Sequence, residues 1–145
     1  MAENEKIRVL FLCTANAARS QMAAGIVMHD FGGRIETYSA GTNPKGVSRL
    51  AVMVLEEIGI DISGETSDHL DKYRDMKFDY VITLCDDANE NCPVFFGGVH
   101  RLHMGFPDPP HSNDPTPENL QKFRSVRDAI RMEMQEFFSE ELKKK

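Results

Sequence analysis

The chain has 145 residues, of which 41% are hydrophobic and 28% charged, and a formal net charge of −6. That length predicts one domain, residues 1–145, around a single core, and the acidic balance argues against a broad nucleic-acid or anionic-membrane surface. No run reaches the ~18 apolar residues of a membrane helix, and the start "MAENEK" lacks the basic and apolar regions of a signal peptide, so a cytoplasmic setting with reduced thiols is expected.

Taken in chain order, Ile7 to Leu12 form a short run that is apolar apart from Arg8, as in a strand buried on both faces. Residues 20–31 read as a helix with Met22 and Ile26 turned to a core, closed by Gly32 and Gly33. "IETYS" (35–39) is a second strand and "AGTNPKG" a loop. Ser48 caps a helix that Gly59 closes. Residues 67–75 suggest a short helix with Ser67 as cap. "FDYVITL" (78–84) and "GVHRLHM" (98–104) are the third and fourth strands. Thr116 caps a long terminal helix, Pro117 takes its first position, and Leu120, Phe123, Val126, Ile130 and Met134 or Phe137 form its apolar stripe. This alternation predicts an α/β fold with a four-stranded parallel sheet flanked by helices on both faces. Ligands in such folds bind at the carboxyl ends of the strands, where Cys13 and Cys85 fall.

Three cysteines, an odd number, fit a secreted disulfide framework poorly. The segment "CTANAARS" (13–20) follows the first strand and opens the first helix. Such a loop offers unpaired backbone N–H groups, and with the helix dipole they make an anion site. Arg19 adds a planar fork for two oxygens of a tetrahedral oxyanion. Helix N-termini and guanidinium groups favour the thiolate form of a cysteine, and a hydroxyl on Ser20 within reach of sulfur adds to that. Cys13 is therefore the candidate nucleophile. Thr14, Ala15, Asn16, Ala17, Ala18, Arg19 and Ser20 are the candidate oxyanion-binding residues.

The segment "VLFLCTANAARSQMAAG" resembles the phosphate-binding loop of the low-molecular-weight protein tyrosine phosphatase fold, shared by phosphatases and thioredoxin-coupled arsenate reductases. Cys13, Thr14, Asn16, Arg19 and Ser20 match the common pattern C-T-G-N-S-x-R-S. Ala15 replaces its Gly, which often marks a strained or closely approached backbone, and Ala17 replaces its Ser. "TLCDDANENCP" resembles the redox segment of the reductases. Cys85 and Cys92 lie seven positions apart, ~10 Å along a helix, whereas a disulfide needs Cα atoms within ~7 Å. The intervening segment must be, or become, non-helical for the two to bond. Neighbouring first and third strands, ~5 Å apart, would let Cys85 meet Cys13 as well. A zinc site is disfavoured, because C-x6-C is wider than the usual spacing and lacks paired histidines.

"FPDPPHSNDP" resembles the family's acid loop, which implies Asp108 as general acid. Asp114 is the weaker rival and suits a turn or cap. Pro110 and His111 follow where phosphatases commonly place an aromatic residue, which favours a small inorganic oxyanion. Some members bind potassium behind the loop. Asn16, Ser39 and Asp68 match its ligands, but Ala24 supplies no carboxylate. His100 and His103 are read as structural.

The resemblance implies reduction of arsenate to arsenite through a Cys13, Cys85, Cys92 relay regenerated by thioredoxin, with no cofactor and no metal. Phosphate and sulfate are expected to compete, and neither nucleic acid nor membrane is an expected partner. Two alternatives stand beside it: a phosphatase with the same Cys13 and Asp108, or a non-catalytic thiol switch. Loss of function on Cys92→Ser separates reductase from phosphatase, and an intact oxyanion site without turnover would mark the switch.

Overall fold

The computed structural model describes residues 6–86 and 98–144. Four strands, β1 (Ile7–Cys13), β2 (Ile35–Gly41), β3 (Phe78–Thr83) and β4 (Gly98–His103), pair in parallel in the order β2-β1-β3-β4. β1 is central, with Leu10 opposite Tyr38 on one side and Val81 on the other. Val9 to Leu12 have no exposed surface. Val9 and Phe11 enter one core, and Leu10 and Leu12 the other. Burial on both faces is why the run carries no polar alternation.

Three α-helices, α1 (Arg19–Phe31), α2 (Arg49–Glu56) and α3 (Pro117–Lys143), contribute to the Val9 and Phe11 core. A 3₁₀ helix, Leu70–Tyr73, covers the other face with Tyr38, Met76 and Phe78. Helical elements thus flank both faces. The Ser48 hydroxyl accepts from the Ala51 N–H, and Thr116 from that of Asn119, with Pro117 beginning α3. Both caps satisfy donors that a helix start leaves unpaired.

Three local readings change. The helix expected over 67–75 is only the 3₁₀ turn, and His69, not Ser67, accepts from the Asp71 N–H. Ser67 is committed elsewhere, its hydroxyl donating to the Ala15 carbonyl at 3.2 Å. α2 ends at Glu56, and the chain then turns through Gly59, whose φ of +81° suits glycine. In α3 the fully buried position after Met134 is Phe138, with Phe137 partly buried.

The ladder runs past the strands. Leu84 N–H donates to Leu12 O at 2.8 Å, Met104 N–H to Thr83 O at 2.8 Å, and Phe106 N–H to Leu84 O at 3.0 Å. These bonds bring the chain after β1, β3 and β4 to one edge of the sheet.

Candidate active site

The loop after β1 is held by its neighbours. Asn43 N–H donates to Thr14 O at 2.9 Å, Lys45 N–H to Ala15 O at 3.1 Å, and Ser48 N–H to Ala17 O at 2.8 Å. A trans peptide plane sets its N–H opposite its C=O. With those carbonyls tied to the 43–48 loop, the N–H groups of Ala15, Asn16 and Ala18 turn away from it. No side chain caps α1 at Ala18, unlike α2 and α3. An uncapped helix start with aligned amides is the polarity an anion cradle needs.

The backbone strain falls on Asn16, whose φ is +47°, the one left-handed non-glycine residue among those described. Asn tolerates this region better than most residues. Ala15 does not adopt it, which explains how alanine replaces glycine there. The close approach is made instead by Gly41 at the end of β2. A Cβ on Gly41 would lie 2.4 Å from Thr14 O and 2.7 Å from Cys13 O. Sequence reading missed Gly41, although an isolated glycine ending a strand signals such an approach.

Cys13 is 2% exposed and free. Its sulfur lies 2.9 Å from Ser20 Oγ. Asn16 Nδ2 donates to Ser20 Oγ at 2.7 Å, so the hydroxyl hydrogen of Ser20 remains for the sulfur. The orientation of the Asn16 amide is fixed by Asp68 N–H, which donates to Oδ1 at 2.7 Å. Gln21, also missed from sequence, donates through Nε2 to Asn16 O and Thr66 O. Asn16 and Ser20 are fully buried.

A cavity of about 140 Å³ opens over the loop, and Cys13, Arg19, Lys45, Asp108 and His111 are among its lining residues. Arg19, 4% exposed, places Nη2 3.4 Å from Asp108 Oδ1 and donates through Nη1 to Phe106 O at 3.2 Å. His111 Nε2 lies 2.7 Å from Asp108 Oδ2. Asp114 does not line the cavity; its carbonyl accepts from Asn119 and Thr116 near the start of α3. Thr14, Ala15, Asn16, Ala17 and Ala18 therefore form the loop, Arg19 and Ser20 open α1, and Asp108 faces Arg19.

Cys85 follows β3, is fully buried and is disulfide-bonded. Its neighbour Leu84 pairs with Leu12, so the strand adjacency that Cys13 and Cys85 need is present. Cys92 lies outside the described residues. His103 Nδ1 meets Thr83 Oγ1 at 2.8 Å, and His100 stacks on Tyr80. A larger cavity, about 460 Å³, lies behind the loop among Ala24, Ser39, Asp68 and Lys72. No thiol lines it, whereas Cys13 lines the smaller one. Ala24 offers no ligand there, and the Lys72 ammonium stands 3.4 Å from Asp68. A positive side chain already faces that carboxylate, so these residues do not fit a potassium ion.

A parallel sheet that delivers a thiol into an uncapped helix start, faced by a guanidinium and a carboxylate, defines a thiol-based oxyanion enzyme of the α/β class. Residues 8–145 match the family model described as low molecular weight phosphotyrosine protein phosphatase, and the chain belongs to that family. It is 39% identical over 134 residues to arsenate reductase 2 of Staphylococcus saprophyticus, covering 92% of this chain and 98% of that relative. A solved arsenate reductase in the phosphate binding state superposes with a TM-score of 0.73 at 30% identity, over 92% of this chain and 98% of that one. A thioredoxin-dependent arsenate reductase of Corynebacterium glutamicum gives 0.63 at 29% identity, over 90% of this chain and 61% of that one.

Proposed function

We propose that this protein is an arsenate reductase that passes two electrons from its thiols to arsenic. The observation that carries the reading is the convergence of Cys13, Arg19 and Asp108 on one small cavity, with Cys85 just past the neighbouring strand.

Arsenate sits in the loop of residues 13–20, with Arg19 on two of its oxygens. Cys13 thiolate attacks arsenic as Asp108 protonates the departing oxygen, which leaves as water. Cys85 thiolate then attacks the Cys13 sulfur. The electron pair of the S–As bond stays on arsenic, which leaves as arsenite, and a Cys13–Cys85 disulfide forms. Cys92 attacks Cys85 and frees Cys13. A thioredoxin-like dithiol reduces the resulting Cys85–Cys92 bond. The third thiol has a physical reason: Cys13 is 2% exposed and Cys85 is fully buried, out of reach of a protein reductant. Cys92 supplies the step that carries oxidation outward.

Arsenate-dependent NADPH oxidation, with thioredoxin and thioredoxin reductase supplied, tests the reading. Steady turnover that is inhibited by phosphate is expected. Rapid aryl phosphate hydrolysis with no arsenate turnover would assign the site to a phosphatase instead.

A further inference from the structure

We propose that His111 is the positioning residue of the acid Asp108, a role that rests on Asp108 being the proton donor of the first step. The Asp108 carboxylate is held at both oxygens, Oδ1 by Arg19 at 3.4 Å and Oδ2 by His111 Nε2 at 2.7 Å. The two contacts have different fates. An oxyanion over Cys13 takes up the Arg19 fork, because paired N–H groups bind two oxygens of such an anion. Oδ1 then loses its ion pair. His111 stands at the mouth of the cavity, with its side chain 73% exposed against 4% for Arg19. It keeps its hold on Oδ2 when the loop is filled, at the moment the acid must stay aimed.

The connection is stiff by sequence. Pro109 and Pro110 separate Asp108 from His111. Each ring fixes its own φ near −65° and restricts the residue before it. The spacer therefore has few conformations to lose when it brings the imidazole back onto the carboxylate.

The charged groups facing this pair are Arg19 from α1 and Lys45 from the loop before α2, with the Cys13 thiol also lining the cavity. In this role the Nε2–H of His111 donates to Oδ2, and the proton that the acid delivers sits on Oδ1. In the chemical step the Oδ1 proton leaves with the departing oxygen, Asp108 becomes a carboxylate, and His111 keeps its own proton on Nε2.

His111→Ala and His111→Gln, made in the full chain, are to be compared by steady-state arsenate reduction across pH. H111A is expected to lower kcat by about tenfold, a part of the ~10²–10⁴ that general acid catalysis supplies, and to alter the pH profile. KM for arsenate is expected to change by less than about twofold, since ground-state binding is untouched. H111Q, whose amide can donate to Oδ2, restores most of the rate. In an Asp108→Asn background, H111A has no further effect. Wild-type kcat and pH profile in H111A while D108N is slow would overturn the proposal, as would an equal loss from H111A in both backgrounds. A D108N enzyme as fast as the wild type would instead remove the reading of Asp108 on which the proposal rests.

Discussion

Asn16 makes three contacts, two to the start of α1 and one to the segment at Asp68, through one side chain and one carbonyl. Nδ2 holds Ser20, Oδ1 receives the Asp68 N–H, and the carbonyl receives Gln21, all at a φ of +47°. Asn16→Ala leaves buried donors and acceptors unpaired and replaces asparagine with a residue that tolerates the left-handed region less well. The expected loss is roughly 2–4 kcal/mol in urea unfolding. Asn16→Gly keeps the polar loss but relieves the backbone, and should recover about 1 kcal/mol of it; equal stability for the two variants would contradict the strain argument. Ser20→Ala removes the hydroxyl next to sulfur. A hydrogen bond to a charged group contributes ~1.5–3 kcal/mol, so alkylation of Cys13 by iodoacetamide near neutral pH should slow by about tenfold or more. Gly41→Ala drives a Cβ against backbone atoms of Thr14 and Cys13, the nearest at 2.4 Å. Arsenate turnover should fall sharply, because backbone cannot yield as a flexible side chain can.

At the scale of elements, α3 is fastened to α1 and α2 by charge. Arg131 grips Asp30 with two hydrogen bonds, while Arg124 and Arg127 share Glu57, and Arg127 also donates to Val54 O. Burial pushes the Asp30 carboxyl up, but hydrogen bonds from Arg131, His29 and Gln135, with the Arg131 charge, bring it below its ordinary value. The hydrogen bond from Arg124 holds Glu57 below its ordinary value, with burial opposing and Arg127 assisting. Both carboxyls are depressed in the folded state. Their contribution is therefore complete above the unfolded values near pH ~4 and is lost as pH falls through the folded ones. The urea midpoint should drop from pH 5 to pH 3, and Asp30→Asn should flatten that drop. An unchanged slope in D30N would show that the clamp does not couple to pH. These pairings were not legible in the sequence, since nothing local ties Arg131 to a residue about a hundred positions away. The caps were legible because Ser48, Thr116 and Pro117 act within one turn of themselves. The 3₁₀ turn was misjudged because Ser67 answers to the Ala15 carbonyl, a contact made only in three dimensions.

For the molecule as a whole, most of the fold was readable because the apolar runs and helix starts alternate along the chain. The sheet order was readable only as a condition: Cys13 and Cys85 can meet if β1 and β3 are neighbours, and the pairing supplies that condition. The cradle was legible from Cys13, Arg19 and Ser20, since strand, loop and helix follow one another locally. Gly41, Gln21 and the His111 contact were not, because each acts on a loop distant in sequence. The same topology places the chain ends that carry Cys13 and Cys85 side by side, and in the proposed relay that adjacency separates reduction from simple ester hydrolysis.

The relay is tested most directly by mapping disulfides after a single arsenate turnover of fully reduced protein without thioredoxin. The expected result is one arsenite released and a Cys85–Cys92 bond in the wild type. Cys92→Ser is expected to release one arsenite and stop as Cys13–Cys85. Sustained thioredoxin-coupled turnover by C92S, or arsenite release with Cys13 never joined to Cys85, would contradict the three-thiol account.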